Sequence, residues 1–317
     1  MLAVMARRAL ALLLGWFACQ TPAVAWGVVS VQPEVVRVLP HDSEAFTQGL
    51  LLNEGWFFES TGLRGRSSLR RVDPADGTVA QSRRLADDEF GEGLALVGQR
   101  LVQLTWQEHV AHVYDVSTFE EVRSFEYTTE GWGLCFDGER VVMSDGSDNL
   151  YFRDPDSFEL LQSVAVTRDG EPVRRLNELE CVSGLVYANV WTTDTIVAID
   201  ANTGQVVAEV DAAGLLTPAE ALGADVLNGI AYDPASGHFF LTGKLWPKVF
   251  EVKLAMASET TAIPRVRSGA VCQIRASAPG DPVHGACFWG GWVLALLLVR
   301  GLRRRQPARW SISGGEA

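Results

Sequence analysis

Across residues 26–264, short runs of Val, Leu, Ile, Phe and Tyr are broken at close intervals by Gly, Asp and Asn. No long stretch keeps the 3.6-residue period of an amphipathic helix, so the pattern predicts an all-β domain. The one helical scrap it allows is Pro218–Leu222. Five hairpins can be written under one another: Gln48-Gly49-Leu50 to Glu59, Glu92-Gly93-Leu94 to Trp106, Trp132-Gly133-Leu134 to Asp145, Asn177-Glu178-Leu179 to Trp191, and Asn228-Gly229-Ile230 to Lys244. Their first residues lie 44, 40, 45 and 51 positions apart, the period of propeller blades.

A second hairpin follows the first in four of the five units. Each is marked by an Asp-led turn, at Asp73–Gly77, Asp115–Phe119, Asp154–Phe158 and Asp200–Gly204, where Asp and Gly suit tight reversals of the chain. Two hairpins per unit make a four-stranded blade. The fifth unit ends one strand short, after Val249–Leu254, and Val35–Leu39 near the start of the body is the strand available to complete it. The expected fold is a five-bladed β-propeller with an N-terminal strand closing the last blade.

This alignment gathers two rings of side chains at one mouth of the channel. Innermost strands of a propeller all start at the same end, and each following strand returns there. The inner ring reads Gln48, Glu92, Trp132, Asn177 and Asn228; the outer reads Glu59, Trp106, Asp145, Trp191 and Lys244. Taken singly, each has a structural explanation: tryptophans pack between blades, asparagines cap turns, and a lysine sits in solvent. A purely structural repeat would place similar residues at equivalent positions, whereas these differ from blade to blade and are polar or aromatic. That divergence is what a site grafted on a repetitive scaffold produces. Glu92, a carboxylate between two glycines, stands at its centre.

The ends of the chain read differently from the body. Residues 1–25 have the form of a secretory signal: Arg7 and Arg8, the apolar run Ala9–Ala18, and Ala23-Val24-Ala25 before Trp26. Trp16-Phe17-Ala18 before Cys19 is a poor lipobox, and a lipid anchor there is not expected. Residues 265–317 form a linker, a 14-residue apolar run at Ala286–Val299, and an arginine cluster at Arg300, Arg303, Arg304 and Arg305. The run is short for a span, but its flanking charge follows the positive-inside rule. With Cys287 at its front, it resembles the C-terminal sorting tails of some bacterial surface proteins. An extracytoplasmic protein is expected, periplasmic or secreted, with this tail as a membrane or surface anchor.

Charge and cysteine content narrow the partners. The net charge of −12 is the balance of a tail at about +6, a signal at about +2 and a body of about −20. An acidic body argues against nucleic acid. Cys135 and Cys181 lie in the body, where an oxidising compartment permits a disulfide and two buried thiols are the other reading. No Cys-x-x-Cys or Cys/His cluster offers a zinc site.

The motifs at the mouth carry a resemblance. Phe46-Thr47-Gln48-Gly49-Leu50, Phe90-Gly91-Glu92-Gly93-Leu94-Ala95, Gln103-Leu104-Thr105-Trp106, Glu130-Gly131-Trp132-Gly133-Leu134, Ser144-Asp145-Gly146-Ser147-Asp148, Leu176-Asn177-Glu178-Leu179-Glu180, Asn189-Val190-Trp191, Leu227-Asn228-Gly229-Ile230-Ala231-Tyr232-Asp233 and Thr242-Gly243-Lys244 with Trp246-Pro247 follow in order. Over residues 32–254 the chain resembles the plant- and bacterial-type glutaminyl-peptide cyclotransferases. The resemblance implies a five-bladed propeller, in agreement with the repeat count. It also implies conversion of the N-terminal glutamine of peptides to pyroglutamate with release of ammonia, and no cofactor or metal. It carries the catalytic carboxylate to Glu92 and polar catalytic positions to Lys244 and Asn177. Trp106, Trp132 and Trp191 become an aromatic wall around the substrate, with Gln48, Asn228 and Asp145 as further substrate contacts. A monomer is expected.

Two other classes compete. A calcium-dependent, lactonase-like propeller would coordinate its ion through Glu92, Asn177, Asn228 and Asp145, but gains nothing from three tryptophans and a lysine. A non-catalytic binding propeller has no need to keep Glu92, Lys244 and the tryptophans together.

Overall fold

The computed structural model describes residues 27–255. The proposed signal and the tail from residue 265 lie outside the described residues. Five antiparallel sheets follow one another along the chain. The first blade is Thr47–Asn53, Trp56–Thr61, Ser68–Val72 and Val79–Arg84. The second is Gly91–Val97, Arg100–Thr105, Val110–Asp115 and Glu121–Glu126; the third is Leu134–Phe136, Val141–Ser144, Asn149–Arg153 and Leu160–Ala165. The fourth is Leu176–Val182, Leu185–Val190, Thr195–Asp200 and Val206–Asp211. The fifth combines Leu227–Asp233, His238–Gly243 and Lys248–Leu254 with Pro33–Pro40, which pairs antiparallel to Lys248–Leu254 and closes the ring. The five-bladed propeller and its N-terminal closure are both as the repeat implied.

Three features among the described residues lie beyond the repeat, one of them a two-stranded antiparallel ribbon of Thr167–Arg168 and Glu171–Pro172 between the third and fourth blades. Val29–Val31 adds to the outer edge of the fourth blade, parallel to Val206–Asp211. The chain thus ties down the outer edges of two blades before the first blade begins. The helical scrap is a single 3-10 turn, Glu220–Leu222.

Burial explains why the blades stay together. The apolar core consists of five clusters, each shared by two adjacent blades. Leu50, Phe57, Ala231 and Phe240 seal the ring where the fifth blade meets the first. Leu69, Leu94, Leu101 and Tyr114 join the first to the second, and analogous groups fill the other three junctions. A disulfide between Cys135 and Cys181, with Cα atoms 5.5 Å apart, ties the innermost strands of the third and fourth blades.

The Asp-led turns behave as their composition suggests. In the third blade the Asp154 carboxylate accepts the backbone N–H groups of Asp156 and Ser157, at 2.9 and 2.8 Å. The fifth residue of each turn adopts positive φ: Gly77 and Gly204 in two of them, but Phe119 (60°) and Phe158 (61°) in the others. Both phenylalanines are buried at blade junctions, so packing offsets the backbone strain that glycine would avoid.

Candidate active site

Four innermost strands carry a one-residue irregularity at the same place. The inner strand holds one residue more than its partner across Thr47–Gly49, Gly91–Leu94, Leu176–Leu179 and Leu227–Ile230. These are β-bulges at Gln48, Glu92, Asn177 and Asn228, the inner ring of the alignment. A bulge re-aims a side chain out of the pleat. Close packing at the centre demands small residues beside them: a Cβ on Gly93 would lie 2.7 Å from the Trp132 carbonyl oxygen.

Glu92, Gln48 and Asn228 are connected in series. Asn228 Nδ2 donates to Gln48 Oε1 at 3.1 Å and to the Thr47 carbonyl at 3.0 Å. Gln48 Nε2 in turn donates to Glu92 Oε1 at 3.0 Å. This leaves Glu92 Oε2 free to face the cavity. Burial pushes the Glu92 carboxyl well above its ordinary value of 4.5, opposed by the Lys244 ammonium. Burial equally pulls Lys244 down, opposed by Glu92 and Asp225. The two groups face the same cavity without an ion pair within 4.0 Å among the described residues. Lys244 Nζ sits instead over the Phe46 ring, 4.8 Å from its centroid.

The cavity has a volume of about 530 Å³ including the space at its open mouth. Phe46, Gln48, Phe90, Glu92, Trp106, Trp132, Asn177, Trp191 and Lys244 line it. Phe90 meets Phe46 and Trp106 edge-on at 6.1 and 5.6 Å, and Trp132 meets Trp191 edge-on at 5.5 Å. Asn177 is buried, and its side-chain oxygen has no hydrogen-bond partner among the described residues.

Not every residue expected at the mouth lines it. Asn228 is fully buried behind Gln48 and reaches the cavity only through that side chain. Asp145 is not a lining residue; its carboxylate builds the local turn, accepting from Ser147 N–H at 3.0 Å and the Tyr151 hydroxyl at 2.9 Å. The outer ring also needs one correction. Trp106, Trp191 and Lys244 donate their backbone N–H to Phe90, Arg175 and Val226, each two residues before its inner-ring residue. The same bond in the first blade is made by Gly62 to Phe46, so Gly62 and not Glu59 holds the equivalent position. Glu59 lies inside the blade, bonded to His41 and Thr47.

An apolar, aromatic-lined pocket with one elevated carboxylate and one depressed ammonium is an arrangement for moving protons, not for holding a highly charged ligand. A family model described as glutamine cyclotransferase matches residues 8–254. The chain belongs to the glutamine cyclotransferase family. Over 230 residues it is 42% identical to a glutaminyl-peptide cyclotransferase of Arabidopsis thaliana, covering 71% of this chain and 72% of that one. It also resembles the crystal structure of a Myxococcus xanthus glutaminyl cyclase, with a TM-score of 0.65 and 42% identity over 72% of this chain and 98% of the other. The protein is thus an enzyme with the glutaminyl cyclotransferase activity of that family.

Three residues of this glutamine cyclotransferase site were within the quoted motifs but had no assigned role. Phe46 and Phe90 precede Gln48 and Glu92 by two residues, which placed them at strand entrances rather than in a pocket. Glu130 accepts hydrogen bonds from the indole N–H of both Trp106 and Trp132, at 2.8 and 3.0 Å. The recurrence of Phe at the same offset in two blades was the available signal.

Proposed function

We propose that the enzyme cyclises the N-terminal glutamine of peptides and proteins without a metal ion, with Glu92 as the proton-transferring group. The observation that carries this reading is a buried carboxylate, elevated by its apolar surroundings, with one oxygen held by Gln48 and the other open to the pocket. Nucleophile and electrophile belong to one glutamine residue, so the protein's task is to hold a bent conformer and shuttle protons. The free α-amine, with an ordinary pKa near 8, attacks the side-chain Cδ. Glu92 takes the proton released as the new C–N bond forms. It then returns that proton to the departing nitrogen, which leaves as ammonia while the ring carbonyl re-forms. A carboxylate with a raised pKa is the stronger base for the first step and has the same proton ready for the second.

The oxyanion that develops on the carboxamide oxygen faces the Lys244 ammonium, a contribution of a few kcal/mol in a site that excludes water. Asn177 offers its unpartnered side-chain oxygen to an N–H of the bound glutamine. Trp106, Trp132 and Trp191 enclose the methylenes. Asp145 and Asn228 bind no substrate directly in this reading; Asn228 sets the orientation of Gln48.

The engagement of Asp145 and Asn228 elsewhere supports metal independence, because a calcium-binding set of Glu92, Asn177, Asn228 and Asp145 would need all four at one point. Among the described residues, no group of three or more His, Cys, Asp or Glu side chains is arranged to hold a metal. Ammonia release from a Gln-Phe dipeptide, with and without EDTA, tests the reading. Equal rates are expected; loss in EDTA with recovery in calcium would show that the cyclisation depends on a metal ion. We further propose that residues 1–25 export the chain and that 265–317 anchor it, the protein acting as a monomer. A fragment spanning 26–264 should then be active and released to the soluble fraction.

A further inference from the structure

The aromatic wall of the pocket comes in two pieces. Phe46, Phe90 and Trp106 form one run of edge-on contacts, supplied by the first two blades. Trp132 and Trp191 form the other, supplied by the third and fourth. Among the described residues no ring contact joins Trp106 to Trp132. What spans the gap is one carboxylate. Glu130 Oε2 accepts from Trp106 Nε1 at 2.8 Å and from Trp132 Nε1 at 3.0 Å, while Oε1 accepts from Gln107 Nε2 at 3.1 Å.

We propose that Glu130 is a positioning residue for the cyclisation: it clamps the two halves of the wall, so that both indoles present their apolar faces to the pocket and their N–H groups to the rim. An indole has one donor and no acceptor. Whichever group takes that donor fixes the ring's rotation about its χ angles, and a carboxylate does so more strongly than water or a neutral acceptor. Glu130 is itself held in place: Gly131 N–H donates to the Trp106 carbonyl at 2.9 Å, which anchors the backbone next to it across the second and third blades. A Cβ at Gly131 would collide with the Thr105 carbonyl, so no other residue permits this approach. Trp106 is further flanked by Arg64, 5.7 Å from its ring centroid, and Trp132 by Gly146, where a Cβ would lie 2.6 Å from the indole. Each ring is thus packed on its sides, and its free edge is turned to Glu130.

The kinetic arm of this inference rests on the cyclisation reading; a second arm does not. In the full-length protein, Glu130→Ala should raise KM for a Gln-initiated dipeptide about tenfold or more, the scale of one charge-assisted hydrogen bond, with a smaller fall in kcat. Glu130→Gln should restore KM to within a few-fold of wild type, because its amide oxygen can take both indoles and Gln107 can turn its own oxygen to the new NH2 group. Independently of any turnover, hydrogen exchange at the indole N–H of Trp106 and Trp132 should be slow in wild type and in Glu130→Gln, and fast in Glu130→Ala. Unchanged KM in a folded Glu130→Ala protein would overturn the clamp. So would Glu130→Gln being as impaired as Glu130→Ala, which would make the charge and not the geometry decisive. Should the alanine variant not fold, indole exchange in wild type as fast as that of half-exposed Trp191 has the same force. Absence of ammonia release by wild type, with slow indole exchange, would sink the cyclisation reading and leave the clamp standing.

Discussion

His41 Nε2 stands 2.9 Å from Glu59 Oε1, and the two side chains are 5% and 2% exposed. The other ring nitrogen, Nδ1, lies 2.7 Å from the Trp246 carbonyl oxygen. Both partners only accept hydrogen bonds, so the ring satisfies them only as the doubly protonated imidazolium. The carboxylate and the Trp246 carbonyl favour the imidazolium, and the net effect is to hold His41 above its ordinary 6.5 although burial opposes it. Glu59 is held below its ordinary 4.5 by His41 and Arg70, again against its own burial. The backbone of this region supports Lys244: Leu245, at φ 61°, donates its N–H to Ala45, and His41 N–H bonds Pro247.

The stability consequence has a definite sign. His41, raised in the fold, contributes fully below pH 6.5, and that contribution is lost as pH rises through its folded value. Glu59, lowered in the fold, contributes above pH 4.5 and loses that contribution as pH falls through its own folded value. The pair therefore stabilises most between about pH 4.5 and 6.5. Replacing His41 by Gln removes the nearer cation from the buried Glu59 carboxylate, leaving it Arg70 at 4.0 Å and the Thr47 hydroxyl, and should cost about 3 kcal/mol near pH 6. Denaturant unfolding from pH 4 to 9 should show this difference shrinking at both ends. A cost independent of pH would mean that the ring is neutral and the contact is packing.

Glu92→Gln should fold as wild type and lose turnover. The amide is isosteric and can still accept from Gln48 through its own oxygen, but it cannot take a proton, so kcat should fall about 10²–10⁴-fold. In wild type, kcat/KM corrected for the fraction of substrate whose α-amine (ordinary pKa near 8) is neutral should drop as pH falls through a value above the ordinary carboxylate 4.5, because burial raises Glu92. The alkaline limb should lie below the ordinary lysine 10.5, where Lys244 loses its proton. Because the two groups interact, both limbs belong to the pair. An acid limb at the ordinary carboxylate value, or wild-type turnover by a folded Glu92→Gln protein, would remove Glu92 from the chemistry.

Glu178 is no substitute base. It is fully buried, and its two oxygens accept the backbone N–H groups of Leu50, at 3.1 Å, and Ile230, at 2.8 Å, linking the fourth blade to the first and fifth. Glu178→Gln turns one acceptor into an NH2 that faces an N–H. The expected effect is a loss of about 1–3 kcal/mol in stability with kcat nearly unchanged in the protein that remains folded. A stable but inactive variant would point to a direct part in the reaction.

The repeat made most of this legible. Blade count, ring closure by Val35–Leu39, and the pocket places of Glu92, Asn177, Lys244 and the three tryptophans all follow from aligned hairpins, because equivalent positions in a propeller share a height along the channel. The misplacements come from what alternation does not encode. A bulge adds one residue without disturbing the hydrophobic pattern, so the burial of Asn228 behind Gln48 was invisible. Glu59 drew the first-blade alignment because it is charged, whereas the residue at the mouth, Gly62, has no side chain to announce itself. In the third blade Trp132 N–H bonds the Ser144 carbonyl and Ser144 N–H bonds Gly133, a local pairing that turns Asp145 away. Val29–Val31 joins a strand some 180 residues later in the chain, a pairing no local pattern contains.

Selection by the pocket should rest on the first residue of the peptide. The wall is apolar and its principal cation, Lys244, faces Glu92 across the cavity, with Glu130 fixed at the rim. A glutamine side chain enters as a neutral carboxamide, and its nitrogen can leave as ammonia once protonated. A glutamate side chain enters as a carboxylate: it resists attack by the amine, pairs with Lys244 where an oxyanion should develop, and meets the charges of Glu92 and Glu130. Like-charge opposition and the loss of a usable leaving group act in the same direction. Steady-state rates on Gln-Ala, Gln-Phe and Glu-Phe should therefore differ widely between the last two and only modestly between the first two, since the second residue lies toward the open mouth beside exposed Trp191. Glu-Phe should instead act as a weak competitive inhibitor whose affinity falls in Lys244→Met. Comparable turnover of Gln-Phe and Glu-Phe would show that the pocket does not read the side-chain charge, and the assignment of Lys244 to the oxyanion would fall with it.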